Sequence, residues 1–483
     1  MSGCVLLFQN DLRLSDHPAL RTACEQYEWV CPLFVHSDEN ERPWPLGGAS
    51  KWWLHHSLAS LSERLASHGA KLVIRSGEVV ECVTKLVDET EAAAVAWSTR
   101  YEPHSLRFER RLQNSLEERG VACHPCDGRT LSAPDGIATK QGKPFQVFTP
   151  FWKACVDRLV ATGLPDPLPA PHQIPALQKR IASESLGDLG LLPRIPWDAE
   201  FPKSWTPGET GARARLKHLL SIIFEYADLR NRPDLDGTSC LSPHLHFGEI
   251  SPRQVVHAVL AEVGLSREEW DKLPTGPKTF LTEIGWREFS HAVLYHWPHT
   301  DREPLRPKFA SFPWKKDRRA LQAWQKGMTG YPIVDAGMRQ LWQTGWMHNR
   351  VRMIVGSFLT KDLLQPWQEG AKWFWDTLVD ADLANNTMGW QWVSGCGADA
   401  SPYFRVFNPV TQGEKFDPEG TYIREWVPEL AKLPTRHIHA PWEAPEAVLA
   451  SSGVTLGETY PEPIVDHAQA RVAALEALAM ISK

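Results

Sequence analysis

The segment VLLFQNDLRLSDHPAL at residues 5–20 places an apolar run, VLLF, directly before a stretch of helical periodicity. Four more short apolar runs follow: VCPLFV at 30–35, KLVI at 71–74, AAAVAW at 92–97 and VAC at 121–123. Short buried runs that alternate with helical segments are typical of βαβ units on a parallel sheet. The sequence therefore predicts an α/β domain with a doubly wound parallel sheet over residues 1–130.

Composition limits the class of protein. A chain of 483 residues suits two packed domains, because single cores stop growing at about 250–300 residues. With 42% hydrophobic residues and no apolar run long enough to span a bilayer, the sequence predicts a soluble, cytoplasmic protein. The nine cysteines are scattered, and the one CxxC, Cys123 to Cys126, has no second pair, so we expect no metal site. We also expect a monomer that needs neither a protein partner nor a membrane.

Charge and tryptophan content add two constraints. A net charge of −6 argues against a protein that coats nucleic acid through bulk electrostatics, so any DNA binding must use a local basic face. Tryptophan is the compositional outlier, because 15 of the 22 residues of this type lie after position 200. Core packing is the ordinary explanation for any one of them, but this enrichment indicates an additional role for the second part of the chain.

Proline becomes frequent between residues 163 and 210, in segments such as GLPDPLPAPHQIP. Because proline fixes φ and removes a backbone donor, such a segment favours an extended path over a surface. We therefore expect an extended interdomain connector over residues 131–209. Helical periodicity predominates beyond it, for example over residues 332–344 and 349–363, which predicts an all-α domain over residues 210–483.

A run of hydroxyl residues opens this second domain. Thr238, Ser239 and Ser242 come directly before Pro243, a residue favoured in the first turn of a helix. Hydroxyls, backbone N–H groups and the positive end of a helix dipole together suit a diphosphate. Taken alone, however, these residues favour an ordinary helix N-cap.

An unusual helical face lies at residues 283–287. Glu283, Trp286 and Arg287 stand at i, i+3 and i+4, so one face presents an acid, a flat ring and a planar cation. A plain core face would not combine these groups. The alternative role for Glu283 is a structural ion pair with Arg287.

A second unusual face is predicted in the segment WMHNRVRM. Trp346, Asn349, Arg352 and Met353 share this face, whereas Arg350 points away from it. Asn and Arg are rarely buried without polar partners, so the pattern indicates a binding surface rather than a core.

Acids, an amide and indoles cluster within residues 380–392. Asp380, Asp382, Asn386, Trp390 and Trp392 belong to this cluster. They are compatible with a capped loop and a packed helix, but they are also the groups that line the site of an aromatic ligand with polar edges.

Six motifs resemble, in order and spacing, the FAD domain of the photolyase/cryptochrome family. They are the Thr-Ser-x-Leu-Ser run at 238–242, WREF at 286–289, TGYPIVDAGMRQL at 329–341, GWMHNRVRM at 345–353, KDLL at 361–364 and GWQW at 389–392. The N-terminal domain resembles the family's antenna domain more weakly. Its opening, LFQNDLR at 7–13, departs at two positions from the family pattern Trp-Phe-Arg-x-Asp-Leu-Arg.

The resemblance implies light-driven repair of cyclobutane pyrimidine dimers in UV-damaged DNA, by electron transfer from excited reduced FAD to a flipped-out dimer. Asn349 and Met353 match the pair that contacts the dimer in cyclobutane dimer photolyases. Asn386 matches the residue that faces flavin N5, which is an amide in photolyases. The alternative is a cryptochrome-type blue-light photoreceptor, because the segment GGASKWWLHHSL at 47–58 also resembles the corresponding segment of cryptochromes.

The resemblance also implies individual roles. The catalytic positions are Glu283, Trp286, Asn349, Met353, Asn386 and Trp392, and the electron-transfer chain is Trp390, Trp367 and Trp314. The FAD contacts are Tyr226, Thr238, Ser239, Cys240, Leu241, Ser242, Phe280, Glu283, Arg287, Asn349, Arg352, Asp380, Asp382 and Asn386. The DNA contacts are Arg230, Trp286, Arg350, Trp392, Arg405 and Lys415. An antenna chromophore is expected in the first domain, with 5,10-methenyltetrahydrofolate favoured over 8-hydroxy-5-deazaflavin.

Overall fold

A computed structural model of the protein describes residues 2–400 and 404–482. The chain divides into two compact units. The first contains Met1–Phe224, Ser239–Pro298 and Val379–Ala384, and the second contains Glu225–Thr238, His299–Leu378 and Asn385–Lys483. Among the residues that the structure describes, none of the helices is both long enough and apolar enough to cross a membrane.

The first unit contains one sheet of five parallel strands in the order β3-β2-β1-β4-β5. The strands are β1 (Gly3–Phe8), β2 (Trp29–His36), β3 (Val73–Ser76), β4 (Ala94–Ser98) and β5 (Ala122–Cys126). Each coincides with one of the predicted apolar runs to within a few residues. The predicted doubly wound sheet is confirmed, because the strand order runs outward from β1 in both directions.

Helices make up the rest of the regular structure. Numbered in chain order, the α-helices are α1 (Pro18–Gln26), α2 (Gly48–Ser67), α3 (Val79–Thr90), α4 (Pro103–Glu117), α5 (Phe148–Thr162), α6 (Phe201–Ser204), α7 (Glu209–Ile222), α8 (Tyr226–Leu229), α9 (Ser242–His246), α10 (Pro252–Glu262), α11 (Thr275–His296), α12 (Arg318–Gln325), α13 (Pro332–Thr344), α14 (Asn349–Ser357), α15 (Trp367–Thr377), α16 (Leu383–Ser394), α17 (Pro409–Phe416), α18 (Thr421–Trp426), α19 (Thr435–Ile438), α20 (Glu446–Ser452) and α21 (His467–Met480). One turn of π-helix (Phe358–Asp362) follows α14. The all-α prediction for the second part of the chain is confirmed for residues 210–400 and 404–482.

The sheet is apolar because it is covered on both faces. All six residues of β1 are buried, and so are six of the eight residues of β2. In the sequence, parallel strands that lie between two layers of helices are continuous apolar runs, without alternation of apolar and polar residues. One face of the sheet packs on α3 and α4 through residues such as Val83, Leu86, Phe108 and Leu112.

Residues 131–209, predicted to form an extended connector, contain the regular helix α5 as well as extended segments. One of these segments follows the sheet edge within the first unit. Val30 N–H donates to the Pro175 carbonyl at 2.6 Å, and Glu184 N–H donates to the Ile74 carbonyl at 2.9 Å. The proline-rich stretch therefore hydrogen-bonds to β2 and β3.

A buried carboxylate organises the second unit. The oxygens of Asp335 accept from the Thr329 N–H and hydroxyl at 2.7 Å each, from Gly330 N–H at 3.0 Å and from the Tyr460 hydroxyl at 2.7 Å. Burial nevertheless raises the pKa of Asp335 above its usual range. These bonds tie the start of α13 to a segment more than 120 residues further along the chain.

Candidate active site

The hydroxyl run lies at the start of the short helix α9. Leu241, whose side chain has no hydrogen-bonding atom, occupies the N-cap position, so the hydroxyls are not ordinary caps of this helix. Cys240 has a φ of +49°, a left-handed conformation that residues other than glycine rarely adopt. Backbone strain of this kind clusters at ligand sites, so the loop is a stronger site candidate than the sequence indicated.

Two hydrogen bonds hold this loop inside the first unit. Arg215 Nε donates to the Ser239 carbonyl at 3.0 Å, and the Ser242 hydroxyl donates to Asp380 Oδ2 at 2.6 Å. The structure therefore brings together Ser242 and Asp380, two predicted cofactor residues that are far apart in the sequence. Thr238 is half-buried and belongs to the second unit.

Asp382 is the centre of a buried charged group in the first unit. Its Oδ2 lies 3.4 Å from His246 Nδ1 and 3.6 Å from His291 Nε2. Burial alone would raise the pKa of Asp382, but His291, His246 and Arg287 together hold it well below its usual range. The carboxylate therefore stays ionised, and it can accept hydrogen bonds from the polar edge of a ligand. His246 and His291 could not be predicted from the sequence, because only the fold brings them close to Asp382.

Helix α11 presents the predicted face at residues 283–287. Glu283 and Trp286 are half-buried, whereas Arg287 is buried. Arg287 Nη1 lies 3.1 Å from Glu288 Oε1, so the ion pair seen at Arg287 involves its neighbour in sequence. Burial raises the pKa of Glu288 to about 7. Phe280, the remaining predicted FAD contact on this helix, is buried.

Trp286 is held by an aromatic ring that the sequence did not single out. Phe148, the first residue of α5, stacks on Trp286 with ring centroids 3.7 Å apart and an angle of 9° between the planes. Phe289 packs edge-on against the same indole at 6.0 Å. These contacts fix the plane of Trp286, which is partly exposed and suited to stack on a flat ligand.

Helix α14 carries the predicted Asn349 and Met353. His348 is its N-cap, and its Nδ1 accepts from Arg350 N–H at 3.1 Å. Asn349 is exposed and Met353 is half-buried, four residues apart on the same face. Trp346 precedes the cap, so the prediction that it lies on this helix was wrong. The guanidinium of Arg352 nonetheless lies 6.0 Å from the Trp346 ring centre.

Helix α16 positions the amide and the indoles of the third cluster. Asn386 Nδ2 donates to the Ala371 carbonyl of α15 at 3.0 Å, which fixes the orientation of this amide. Trp390 stands one turn further on and is only 3% exposed, packed edge-on against Phe374 at 5.0 Å. Trp392 is half-buried.

The three predicted electron-transfer tryptophans differ in burial. Trp390 and Trp367 are 3% and 2% exposed, whereas Trp314 is half-exposed and packs on Phe312 with centroids 4.3 Å apart. Two of these indoles are therefore interior, and the third is partly exposed.

The predicted DNA contacts of the second unit lie at or near the surface. Arg405 and Lys415 are exposed, and Arg230 and Arg350 are partly exposed. Tyr226, predicted to contact FAD, is buried at the start of α8, next to the segment that carries Arg230.

Comparison with known families identifies the class of protein. The family model described as DNA photolyase matches residues 4–172, and the model described as the FAD binding domain of DNA photolyase matches residues 280–480. The chain therefore belongs to the DNA photolyase family.

Individual relatives cover the whole chain. The deoxyribodipyrimidine photo-lyase of Agrobacterium fabrum is 46% identical over 99% of this chain and 98% of its own length. Cryptochrome-2 of Arabidopsis thaliana is 40% identical over 97% of this chain and 77% of its own length. The crystal structure of a bacterial class III photolyase from Agrobacterium tumefaciens matches with a TM-score of 0.94 at 45% identity, over 100% of this chain and 98% of that one.

Proposed function

We propose that this protein repairs cyclobutane pyrimidine dimers in DNA in a light-driven reaction, as a deoxyribodipyrimidine photo-lyase. The observation that carries the proposal is full-length similarity to a photo-lyase at 46% identity, together with Asn349 and Met353 on one face of α14. A flipped-out base can contact only side chains that are accessible from the surface, and Asn349 is exposed and Met353 partly exposed.

The residues of this chain fit an FAD cofactor. The Ser239 and Ser242 hydroxyls and the strained Cys240 backbone suit a diphosphate, and the buried, ionised Asp382 suits the polar edge of a flavin. We propose that the full set of predicted FAD contacts, from Tyr226 to Asn386, holds this cofactor. When bound and fully reduced, FAD supplies the electron that splits the dimer after excitation by light.

The protein's own residues bind, orient and stabilise the substrate. Trp286, held flat by Phe148, stacks on the flipped base, and each such stack contributes about 1–3 kcal/mol. Trp392 contributes a second aromatic contact. The Glu283 carboxyl, in its protonated form, donates a hydrogen bond to the dimer carbonyl and stabilises the negative charge that develops there. Asn386 adjusts the flavin environment without adding charge.

We propose the predicted domains as functional parts: residues 1–130 as the antenna domain, 131–209 as the connector and 210–483 as the FAD-binding catalytic domain. We propose 5,10-methenyltetrahydrofolate as the antenna chromophore, with 8-hydroxy-5-deazaflavin as the alternative. Release of bound chromophores by denaturation, followed by mass spectrometry, distinguishes these two compounds. A cytoplasmic monomer remains the prediction from the sequence, and light scattering of the purified protein tests the oligomeric state.

The test of function uses two lesions. Purified, chemically reduced protein is illuminated with oligonucleotides that contain either a cyclobutane dimer or a (6-4) photoproduct. We expect repair of the cyclobutane dimer alone, because (6-4) photolyases resemble one another by a histidine pair in this region and this sequence has His348 alone. A cryptochrome-type photoreceptor, the second candidate favoured by the Arabidopsis relative, would repair neither lesion.

A further inference from the structure

Two buried histidines meet the Asp382 carboxylate in the first unit. His246 Nδ1 lies 3.4 Å from Asp382 Oδ2, and His291 Nε2 lies 3.6 Å from the same oxygen. His246 and His291 are 5% and 2% exposed, so both rings lie in the interior. Because both imidazoles approach one oxygen of Asp382, they restrain the plane of the carboxylate and with it the direction of the second oxygen, Oδ1.

Helix α9 connects this carboxylate to the hydroxyl loop. Ser242, the first residue of α9, donates through its hydroxyl to Asp380 Oδ2 at 2.6 Å, and His246, the last residue, approaches Asp382. Asp382 N–H also donates to the Asp380 carbonyl at 2.7 Å. One helix of five residues therefore contacts both carboxylates that are predicted to bind the cofactor.

Helix α11 carries His291 on the same face as two predicted cofactor contacts. Phe280, Arg287 and His291 stand at i, i+7 and i+11, which is one face of an α-helix. Arg287 also interacts electrostatically with Asp382. His291 therefore extends the predicted binding face of α11 by one turn, to the point where this helix reaches Asp382.

The charges around His291 determine what its ring can do. Arg287 and Arg129 act on it as cations, and Asp382 and Glu102 act on it as anions. Glu102 Oε1 and Arg129 Nη2 also pair with each other at 3.5 Å. Burial lowers the pKa of His291 to about 4, so the ring is neutral near pH 7. A neutral imidazole has one N–H donor, so it can orient an anion without adding charge.

We infer that His246 and His291 are positioning residues of the cofactor site, which direct the Asp382 carboxylate toward the polar edge of the bound flavin. The inference rests on the proposed function, which supplies the flavin. An ionised carboxylate only accepts hydrogen bonds, so an oriented Asp382 favours a ring with an N–H donor at that edge. Its charge also disfavours a gain of negative charge by the ring, so the same contacts lower the reduction potential of the cofactor.

The test removes, keeps or moves the donor of each histidine. An Asn amide lies near the position of imidazole Nδ1 and a Gln amide near that of Nε2, so His246→Asn and His291→Gln keep the donor that faces Asp382. His246→Gln and His291→Asn carry an amide at the wrong position, and the two Leu variants carry none. The FAD-loaded proteins are compared by the rate of FAD release, followed by fluorescence on dilution, and by the midpoint potential of bound FAD.

We expect FAD release to be roughly ten-fold faster in the Leu variants and in those with the misplaced amide, about the contribution of one hydrogen bond to a charged group. The midpoint potential should rise in the same variants, because burial then raises the pKa of Asp382 and the carboxylate loses negative charge. His246→Asn and His291→Gln should stay near the wild type. Wild-type values in the Leu variants, or equal losses with kept and misplaced amides, would overturn the inference.

The Asp382→Asn background distinguishes a positioning role from a direct one. If His291 acts through Asp382, His291→Leu should add no further shift in midpoint potential once the carboxylate is replaced by an amide. A shift as large as the one in the wild-type background would overturn the inference. The comparison of kept and misplaced amides does not depend on this background.

His244→Asn is the matched control. His244 also belongs to α9 and is 1% exposed, but its Nδ1 pairs with Glu249. This variant should lower the midpoint of thermal unfolding and leave FAD release and midpoint potential at the wild-type values. Changes in both flavin properties as large as those in His246→Leu would indicate a general structural effect and overturn the inference.

The wild-type protein separates this inference from the proposed function. If it binds FAD and the histidine variants match it, the inference is wrong and the function stands. If it binds FAD and the variants differ as expected, but it repairs no dimer, the inference stands and the proposed repair is wrong. A wild-type protein that binds no flavin would overturn both.

Discussion

Gly370 of α15 lies so close to Trp390 that the methyl group added by Gly370→Ala would disturb the packing of this indole. A Cβ atom at Gly370 would lie 2.1 Å from Trp390 Cη2, well inside van der Waals contact. Trp390 is 3% exposed and packs on Phe374, so it cannot move aside without disturbing the interior. Overpacking of this kind costs about 1–3 kcal/mol.

Gly389 provides the matched control. It lies in helix α16, adjacent to Trp390 in the sequence, and no atom outside its chain neighbours and the backbone of its own helix lies within 4 Å of a Cβ added there. Replacing a helical glycine by alanine stabilises a protein by about 0.5–1 kcal/mol, and this gain is common to Gly370→Ala and Gly389→Ala. The difference between the two variants therefore measures the overpacking at Trp390.

We expect Gly389→Ala to raise the free energy of unfolding measured in urea. The free energy of unfolding of Gly370→Ala should be about 1–3 kcal/mol lower than that of Gly389→Ala. Because Gly370→Ala displaces Trp390, it should also slow the light-driven reduction of oxidised FAD. Repair by chemically reduced protein should change less. Equal stabilisation by the two substitutions would refute the packing argument.

Three further predictions address the proposed reaction and the buried charges. Trp314→Phe should block photoreduction of oxidised FAD but leave repair by chemically reduced protein nearly unchanged; loss of repair in the reduced variant would assign Trp314 a structural or substrate role. Glu283→Gln should lower the repair yield per absorbed photon while FAD content and dimer affinity stay near normal, and a normal yield with depleted FAD would refute its catalytic role. Burial raises the pKa of Glu288 to about 7, so the folded state binds more protons than the unfolded state between the ordinary pKa of 4.5 and pH 7. Stability should therefore fall as pH rises through this window, and thermal midpoints of Glu288→Gln should lack that decline.

The fold could be predicted from the sequence because its signals are local. Buried parallel strands are continuous apolar runs, and the predicted helix at 332–344 coincides with α13. The helix predicted from 349 to 363 is interrupted by the π-helical turn Phe358–Asp362, which periodicity does not signal. Helix α5 was missed because the proline-rich segment that follows it dominated the interpretation of residues 131–209.

The site could be predicted only in part, for a related reason. The residues at helical spacing, such as Glu283 and Trp286, follow from the sequence. Partners such as Phe148 and His246 do not, because only the fold brings them next to the predicted residues and they belong to no recognisable local pattern. The left-handed backbone conformation of Cys240 could not be predicted either, because the residue type does not indicate it.

The most direct test of the account is dimer splitting in a defined oligonucleotide. Purified protein with chemically reduced FAD is mixed with a single thymine dimer in DNA and illuminated, and the recovered thymines are counted by chromatography, with a dark sample as control. The account predicts restored thymines in the illuminated sample alone, with no net oxidation of the cofactor. An intact dimer after illumination of protein that holds reduced FAD and binds the DNA would contradict it.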